Sequence, residues 1–361
     1  MKSHNFPTSI TIHSFITKGL QMKIIVDVMS GDKAPGELIK GACYAANTGN
    51  AGIIMVGNAD IIKKTASENM LDISLPGIEI ADARDVISME DDPMSVKDKK
   101  DSSMARSLML LREGDGDAVV SAGNTGALYT GSVLYVGRIK GVQKAAIATV
   151  LPFPKPVLML DCGANVNQKP ENLVQFALMG NIYAGNVMNV SNPRIGLLNN
   201  GTESHKGTEL HVAAYNFLLN EDRLNFTGNV ESKSIPDGVC DVLVTDGFTG
   251  NVLLKAIEGL GGFFVSRLKE VYRKNPITYL SAAIVKPQLK KLKSDFDPSE
   301  HGGAPFLGIK KPVFKAHGSS DAKSIVSAIR VAERFCDGQV TEKTEEAIAN
   351  SVSNINTKEV I

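Results

Sequence analysis

The side chains able to do chemistry in this sequence sit in short polar turns, each placed directly after an apolar run. The turns are Ser30-Gly31-Asp32, Ser121-Ala122-Gly123-Asn124-Thr125-Gly126, Asp161-Cys162-Gly163-Ala164-Asn165, residues 199–207 and residues 246–251. In the second turn, glycine lets the backbone bend and another group approach closely. Asn124 or Thr125 suits a helix cap there, and free N–H groups at a helix start suit an anion. Ser121, Gly123, Asn124 and Thr125 are therefore candidate phosphate or substrate contacts, set against the plainer reading of an ordinary strand-to-helix turn. That turn carries no cation. His205 and Lys206 supply charge in the fourth turn. A lysine acts as a point charge on phosphate, and a histidine gives or takes a proton near neutrality. Asp246 ends an apolar run, where a carboxylate orients a donor, accepts a proton or caps a helix. Asn165, Asn200 and Asn251 are candidate donors to a phosphate or an oxyanion, or else satisfy their own turns. Cys162 reads as a small packing residue rather than a nucleophile.

Elements with a recognisable pattern must position these turns. Strands are predicted over 23–28, 53–57, 78–80, 117–120, 146–151, 157–160, 194–198, 239–244 and 313–315. Helices are predicted over 35–47, 60–68, 102–113, 126–136, 170–186, 208–219, from 252 onward and over 322–335. Ser319 or Ser320 is the expected cap of the last of these. Residues 84–100 read as a charged surface connection. Strand, glycine-containing turn, helix, repeated, implies βαβ units and a mostly parallel sheet covered on both faces, a three-layer α/β/α arrangement. Ligands bind such sheets at the carboxyl ends of the strands, so all five turns are expected along one edge.

With 361 residues, 43% hydrophobic and 22% charged, the chain is an ordinary globular one. Its formal net charge of zero gives no global footprint for nucleic acid. Four dispersed cysteines, Cys43, Cys162, Cys240 and Cys336, show neither metal spacing nor a disulfide framework, which fits a reducing cytoplasm. No run approaches the length needed to span a bilayer. Residues 1–21 read as an extension without signal-peptide character, 22–338 as the α/β domain, and 339–361 as a polar tail.

One region departs from the βα pattern. Residues 263–274 continue a helix, Asn275-Pro276 break it, and a second arm follows, giving a protruding helical hairpin over 263–296. Ile277, Tyr279, Leu280 and Ile284 form its apolar turn. Arg267, Lys269, Arg273, Lys274, Lys286, Lys290, Lys291 and Lys293 flank it. Such a tip either packs in a core or dimer interface, or enters a bilayer with its basic flanks near anionic lipid.

Several ordered motifs together resemble one family. They are residues 27–35, 121–127, 161–165, 169–173, 200–203, 245–251 and 315–321, read as DVMSGDKAP, SAGNTGA, DCGAN, KPENL, NGTE, TDGFTGN and KAHGSSD. The family is the bacterial phosphate acyltransferase of phospholipid synthesis (acyl-ACP:phosphate acyltransferase), and the resemblance covers about residues 22–335. The first motif usually reads Asp-Ala-Met-Gly-Gly-Asp-His-Ala-Pro. Here Val28, Ser30 and Lys33 depart from it, so no catalytic histidine is expected at 33. The resemblance implies attack of inorganic phosphate on the thioester of an acyl carrier protein, giving acyl phosphate and free carrier. It also implies a fold similar to isocitrate dehydrogenase and phosphotransacetylase, a homodimer, peripheral membrane contact, and association with the downstream glycerol-3-phosphate acyltransferase. No cofactor and no metal is expected. Within this frame Lys206, His205 and Asp246 are the catalytic candidates, and the basic hairpin residues serve either lipid or the acidic carrier. Three alternatives stay open: a phosphotransacetylase-like enzyme using acyl-CoA, a dinucleotide-dependent dehydrogenase on the same fold, and a non-catalytic membrane adaptor.

Overall fold

The computed structural model describes residues 22–275, 278, 279, 281, 282, 285 and 302–358, the last eight of these by their backbone alone. The expected extension 1–21, the hairpin residues Ile277, Leu280 and Ile284, and the lysines at 286, 290, 291 and 293 lie outside the described residues.

Eleven strands form one sheet in the order β3-β2-β1-β4-β11-β10-β5-β6-β9-β7-β8. These are β1 Lys23–Asp27, β2 Gly52–Gly57, β3 Ile78–Asp82, β4 Ala118–Ser121, β5 Ala146–Leu151, β6 Val157–Leu160, β7 Arg194–Asn199, β8 Asn225–Glu231, β9 Val242–Val244, β10 Ala304–Leu307 and β11 Val313–Lys315. Strands β1, β2, β4, β6 and β9 are apolar on both faces, as a covered parallel sheet requires. Ile24, Val26 and Val120 face one core, and Ile25 and Val119 the other. The first core is closed by α1 (Gly36–Thr48), α6 (Pro170–Asn186) and α9 (Ala322–Asp337), the second by α4 (Ser103–Glu113) and α5 (Thr125–Gly131). Full burial of an isoleucine such as Ile24 or Ile25 contributes about 2 kcal/mol each. The expected α/β/α layers are therefore present.

Strand direction differs from the expectation of a single edge. The pairs β11–β10, β10–β5 and β5–β6 are antiparallel and the rest are parallel. The chain therefore runs one way through β3, β2, β1, β4, β11 and β5, and the opposite way through β10, β6, β9, β7 and β8. Turns after β1, β4 and β11 leave one edge, and turns after β6, β7 and β9 leave the other. The single-edge expectation fails because a hairpin, residues 151–157, reverses the chain between β5 and β6. At the centre, β10 pairs with β11 through Ala304 and Pro305, then with β5 through Phe306 and Leu307. The upper part of β5 pairs only with β6 among the described residues, so the sheet splits there.

Three further departures are local. β8 and β10 were not expected as strands, since β8 is polar and glycine-bearing and β10 contains Pro305. The last core helix, α9, is capped by Asp321 rather than Ser319 or Ser320, its Oδ1 accepting from Ser324 N at 2.9 Å. The helix expected from 252 starts five residues earlier, as α8 (Gly247–Arg273).

Candidate functional site

Two buried aspartates set the turns. Asp27 ends β1; its Oδ1 accepts from Met29 N and Ser30 N (3.2 and 3.3 Å), and its Oδ2 from Ser121 Oγ at 2.7 Å. Ser121 Oγ accepts in turn from Gly123 N at 3.1 Å. Ser121 thus points inward and ties the carboxyl ends of β1 and β4. A side chain at Gly123 would meet Met104 Cε 2.5 Å from its first carbon, so the turn accepts only glycine without rearrangement. Asn124 caps α5, its Oδ1 accepting from Ala127 N at 3.0 Å. Its amide donates to Met89 O and Asp91 O at 3.0 and 2.9 Å, holding the 84–94 connection across the turn. The side chain of Asn124 is thus occupied by the fold. Thr125 is exposed and lines a cleft.

The second aspartate, Asp161, is fully buried after β6. Its Oδ1 accepts from Ile147 N, Gly163 N and Ala164 N, and its Oδ2 from Asn165 N and Asn165 Nδ2, all within 3.2 Å. Burial nevertheless holds its pKa above the ordinary carboxylate value, because desolvation outweighs those donors. Asn165 also donates to Ala145 O and accepts from Tyr129 Oη, so it too is a structural centre. Burial pushes the Cys162 thiol far up, and its sulfur donates to Met159 O at 3.2 Å. A thiol so placed is not a poised nucleophile.

The start of α8 locks onto this turn. Asp246 is the cap, its Oδ1 accepting from Thr249 N at 2.9 Å and its Oδ2 from Thr249 Oγ1 at 2.6 Å. Gly247 N donates to Asn165 O at 3.0 Å. A Cβ at Gly250 would sit 2.0 Å from Asp161 O, so only glycine permits this approach. Asn251 donates to Cys162 O at 3.0 Å and lines the same cleft as Thr125.

That cleft, about 260 Å³, opens where the sheet splits. Thr125 and Lys315 come to it from the ends of β4 and β11. Thr149 and Cys162 come from β5 and the end of β6, and Asn251, Lys255 and Glu258 from α8. The two oppositely running halves thus meet at one site even though their turns leave opposite edges. His317 lines it, with Nδ1 2.8 Å from Ser319 Oγ. Lys315 was missed as a site residue because it reads as the last residue of a short strand.

The 199–207 turn stands at the carboxyl end of β7. Asn200 and His205 are exposed and Lys206 is half-buried. Asn199 Nδ2 donates to Lys206 O at 3.0 Å and shapes the loop. Asp246 reaches this side as well, since its charge opposes the burial that lowers the His211 pKa. Asp246 caps α8, Lys206 and His205 stand in the loop after β7, and none of the three lines the split itself. Of the hairpin candidates, Tyr279 is exposed. Among the described residues no group of acidic, histidine and cysteine side chains is arranged to hold a metal, and no helix is long and apolar enough to cross a membrane.

Comparison with known proteins adds a family to this geometry. The family model of the "Fatty acid synthesis protein" matches residues 22–343. The phosphate acyltransferase of Alkaliphilus oremlandii (strain OhILAs) is 44% identical over 331 residues, 91% of this chain and 98% of that protein. That of Lysinibacillus sphaericus (strain C3-41) is 45% identical, again over 91% of this chain and 98% of that protein. In three dimensions the chain is similar to the EutD phosphotransacetylase from Staphylococcus aureus, with a TM-score of 0.58 at 16% identity over 88% of this chain and 95% of that one. A phosphotransacetylase from Streptococcus pyogenes gives a TM-score of 0.58 at 16% identity, over 89% and 94%. At that identity the likeness speaks for the fold.

Proposed function

This chain belongs to the fatty acid synthesis protein family, that of the bacterial phosphate acyltransferases, and from that premise we propose that it moves an acyl group from acyl carrier protein to inorganic phosphate. A phosphate oxygen attacks the thioester carbonyl, the tetrahedral oxyanion collapses, the C–S bond breaks, and acyl phosphate and the carrier thiol leave. Phosphate is itself the nucleophile, which accords with the buried, unactivated Cys162 thiol. The work left to the protein is positioning and charge stabilisation.

The observation that carries this reading is the cleft at the sheet split, where the ends of β4 and β11 face the start of α8. Thr125 and Asn251 offer neutral polar contacts there. Asp246 fixes the α8 turn that carries Asn251. Lys206 supplies positive charge from the β7 loop, and His205 a proton for the departing thiolate. Ser121, Gly123, Asn124 and Asn165 hold the turns from which Thr125 and Asn251 reach the cleft, and Asn200 belongs to the Lys206 loop.

The product feeds phospholipid synthesis at a membrane surface, through the glycerol-3-phosphate acyltransferase that consumes it. Tyr279 and the hairpin residues Ile277, Leu280 and Ile284 provide the contact. A second copy of the chain covers α8, which exposes Phe248, Val252, Leu260, Phe263, Phe264 and Val271; large exposed apolar patches of this kind mark interaction surfaces.

The test incubates purified protein with acyl carrier protein and phosphate and follows hydroxylamine-trapped acyl phosphate and free thiol together. Stoichiometric appearance of both supports the reading; turnover with acyl-CoA alone replaces it with a phosphotransacetylase-like one. Lys206→Ala should cut turnover without loss of folding, and wild-type activity would remove the role given to Lys206. Leu280→Asp with Ile284→Asp should release the protein from anionic vesicles; retained binding would place the contact elsewhere.

A further inference from the structure

β11 delivers a lysine into the cleft without a counter-ion. Lys315 Nζ donates to the carbonyl oxygens of Ala122, at 3.2 Å, and Ala316. It makes no ion pair among the described residues. Asp27 and Asp32 act on it through space and favour its charged form, yet burial wins and pulls the amine down to about 8. Asp27 makes no hydrogen bond to it; its oxygens accept from Met29, Ser30 and Ser121. Asp32 lies against Gly318 and makes no ion pair with Lys315. The other titratable groups lining the cleft are Lys255, Glu258, His317, Cys162 and Tyr183.

A second group in the cleft is also unsatisfied. Ser320 is 4% exposed and lines it, and its Oγ has no hydrogen-bond partner among the described residues. A buried hydroxyl left unpaired is unfavourable, as is a desolvated ammonium held only by neutral carbonyls. One ligand relieves both: an oxyanion accepts from the ammonium and from the hydroxyl in charge-assisted bonds.

We propose that Lys315 and Ser320 form a binding subsite for a phosphate-group oxyanion in the cleft between the two halves of the sheet. The inference rests on the phosphate acyltransferase reading and deepens it. Two sources share this chemistry: free phosphate, and the phosphodiester in the prosthetic arm of an acyl carrier. The subsite lies on the β4–β11 side of the cleft, the side that also carries Thr125, and no residue of the Lys206 loop lines it.

The test compares Lys315→Met and Ser320→Ala with wild type. Ser320→Ala removes an unpartnered hydroxyl, so it folds. KM is measured for inorganic phosphate, for an acyl carrier donor, and for a short acyl thioester lacking the phosphodiester. Loss of a charged bond should raise the relevant KM about ten- to hundredfold in Lys315→Met, and loss of a neutral one about two- to tenfold in Ser320→Ala. A rise confined to phosphate assigns the subsite to the nucleophile. A rise confined to the carrier donor, absent with the short thioester, assigns it to the arm. Unchanged constants for both, or an equal loss with all three substrates, would overturn the subsite. Inorganic phosphate should also raise the Tm of wild type and not that of Lys315→Met. This readout needs no turnover, so a wild type that makes no acyl phosphate yet keeps this contrast sinks the reaction and leaves the subsite standing. Equal phosphate stabilisation of both proteins, together with unchanged constants, sinks the subsite.

Discussion

Lys315 makes a pH-dependent prediction that separates its energetic cost from its function. The perturbation is Lys315→Met, which keeps the length of the side chain and removes the amine. Folded, the amine releases its proton near pH 8; unfolded, it does so near the ordinary 10.5. A difference of 2.5 pH units corresponds to about 3 kcal/mol, an upper value for a group this largely buried. The sign follows from proton counting. Between pH 8 and 10.5 the unfolded chain binds more protons than the folded one, so stability rises with pH in that window. Below pH 8 the wild type carries the full desolvation cost, and above 10.5 it carries none. The variant lacks this linkage throughout. Urea unfolding in phosphate-free buffer at pH 7, 8, 9 and 10.5 should therefore show the wild type gaining up to about 3 kcal/mol on Lys315→Met across the series. Other groups titrate in both proteins and cancel in the difference. The loss of two carbonyl contacts shifts the whole difference by a constant and leaves its slope intact. A difference flat with pH would refute the reasoning, since it would mean that the amine is solvated in the folded protein.

Other perturbations test other parts of the site. Asn124→Ala removes the α5 cap and the two short bonds to Met89 O and Asp91 O; it should cost about 3 kcal/mol in urea unfolding and open residues 84–94 to limited proteolysis, whereas a cost below about 1 kcal/mol would deny it that role. Cys162→Ala should retain turnover within about tenfold, and the native thiol should react slowly with a thiol reagent; a loss on the order of a thousandfold would point to covalent catalysis instead. Phe263→Ser with Phe264→Ser should weaken self-association in sedimentation at micromolar concentration, and unchanged association would leave the α8 face to another partner.

The chain's local signals carried most of the element assignment. β-branched runs such as Ile24-Ile25-Val26 announce covered strands, and Gly114, with φ 93°, stops α4 where the sequence places its end. Asn124 and Asp246 were readable as caps because a cap needs only a short polar side chain before a helical run. The ordered motifs carried the family. These features depend on neighbours a few residues apart, so the sequence displays them directly.

Tertiary structure decided which way each strand runs, and therefore which turns share an edge. The sequence around β5 and β6 looks like two more apolar strands; only their antiparallel pairing reverses the second half of the sheet. Burial was also decided there. Asn124, Asn165 and Ser121 look like ligands in the sequence, yet most of their polar atoms are used in holding turns together. Lys315 looks like a strand end, yet it projects into the cleft beside the unpartnered Ser320. A side chain's free hydrogen-bonding capacity is what remains after distant segments have taken their share, and that remainder depends on long-range packing.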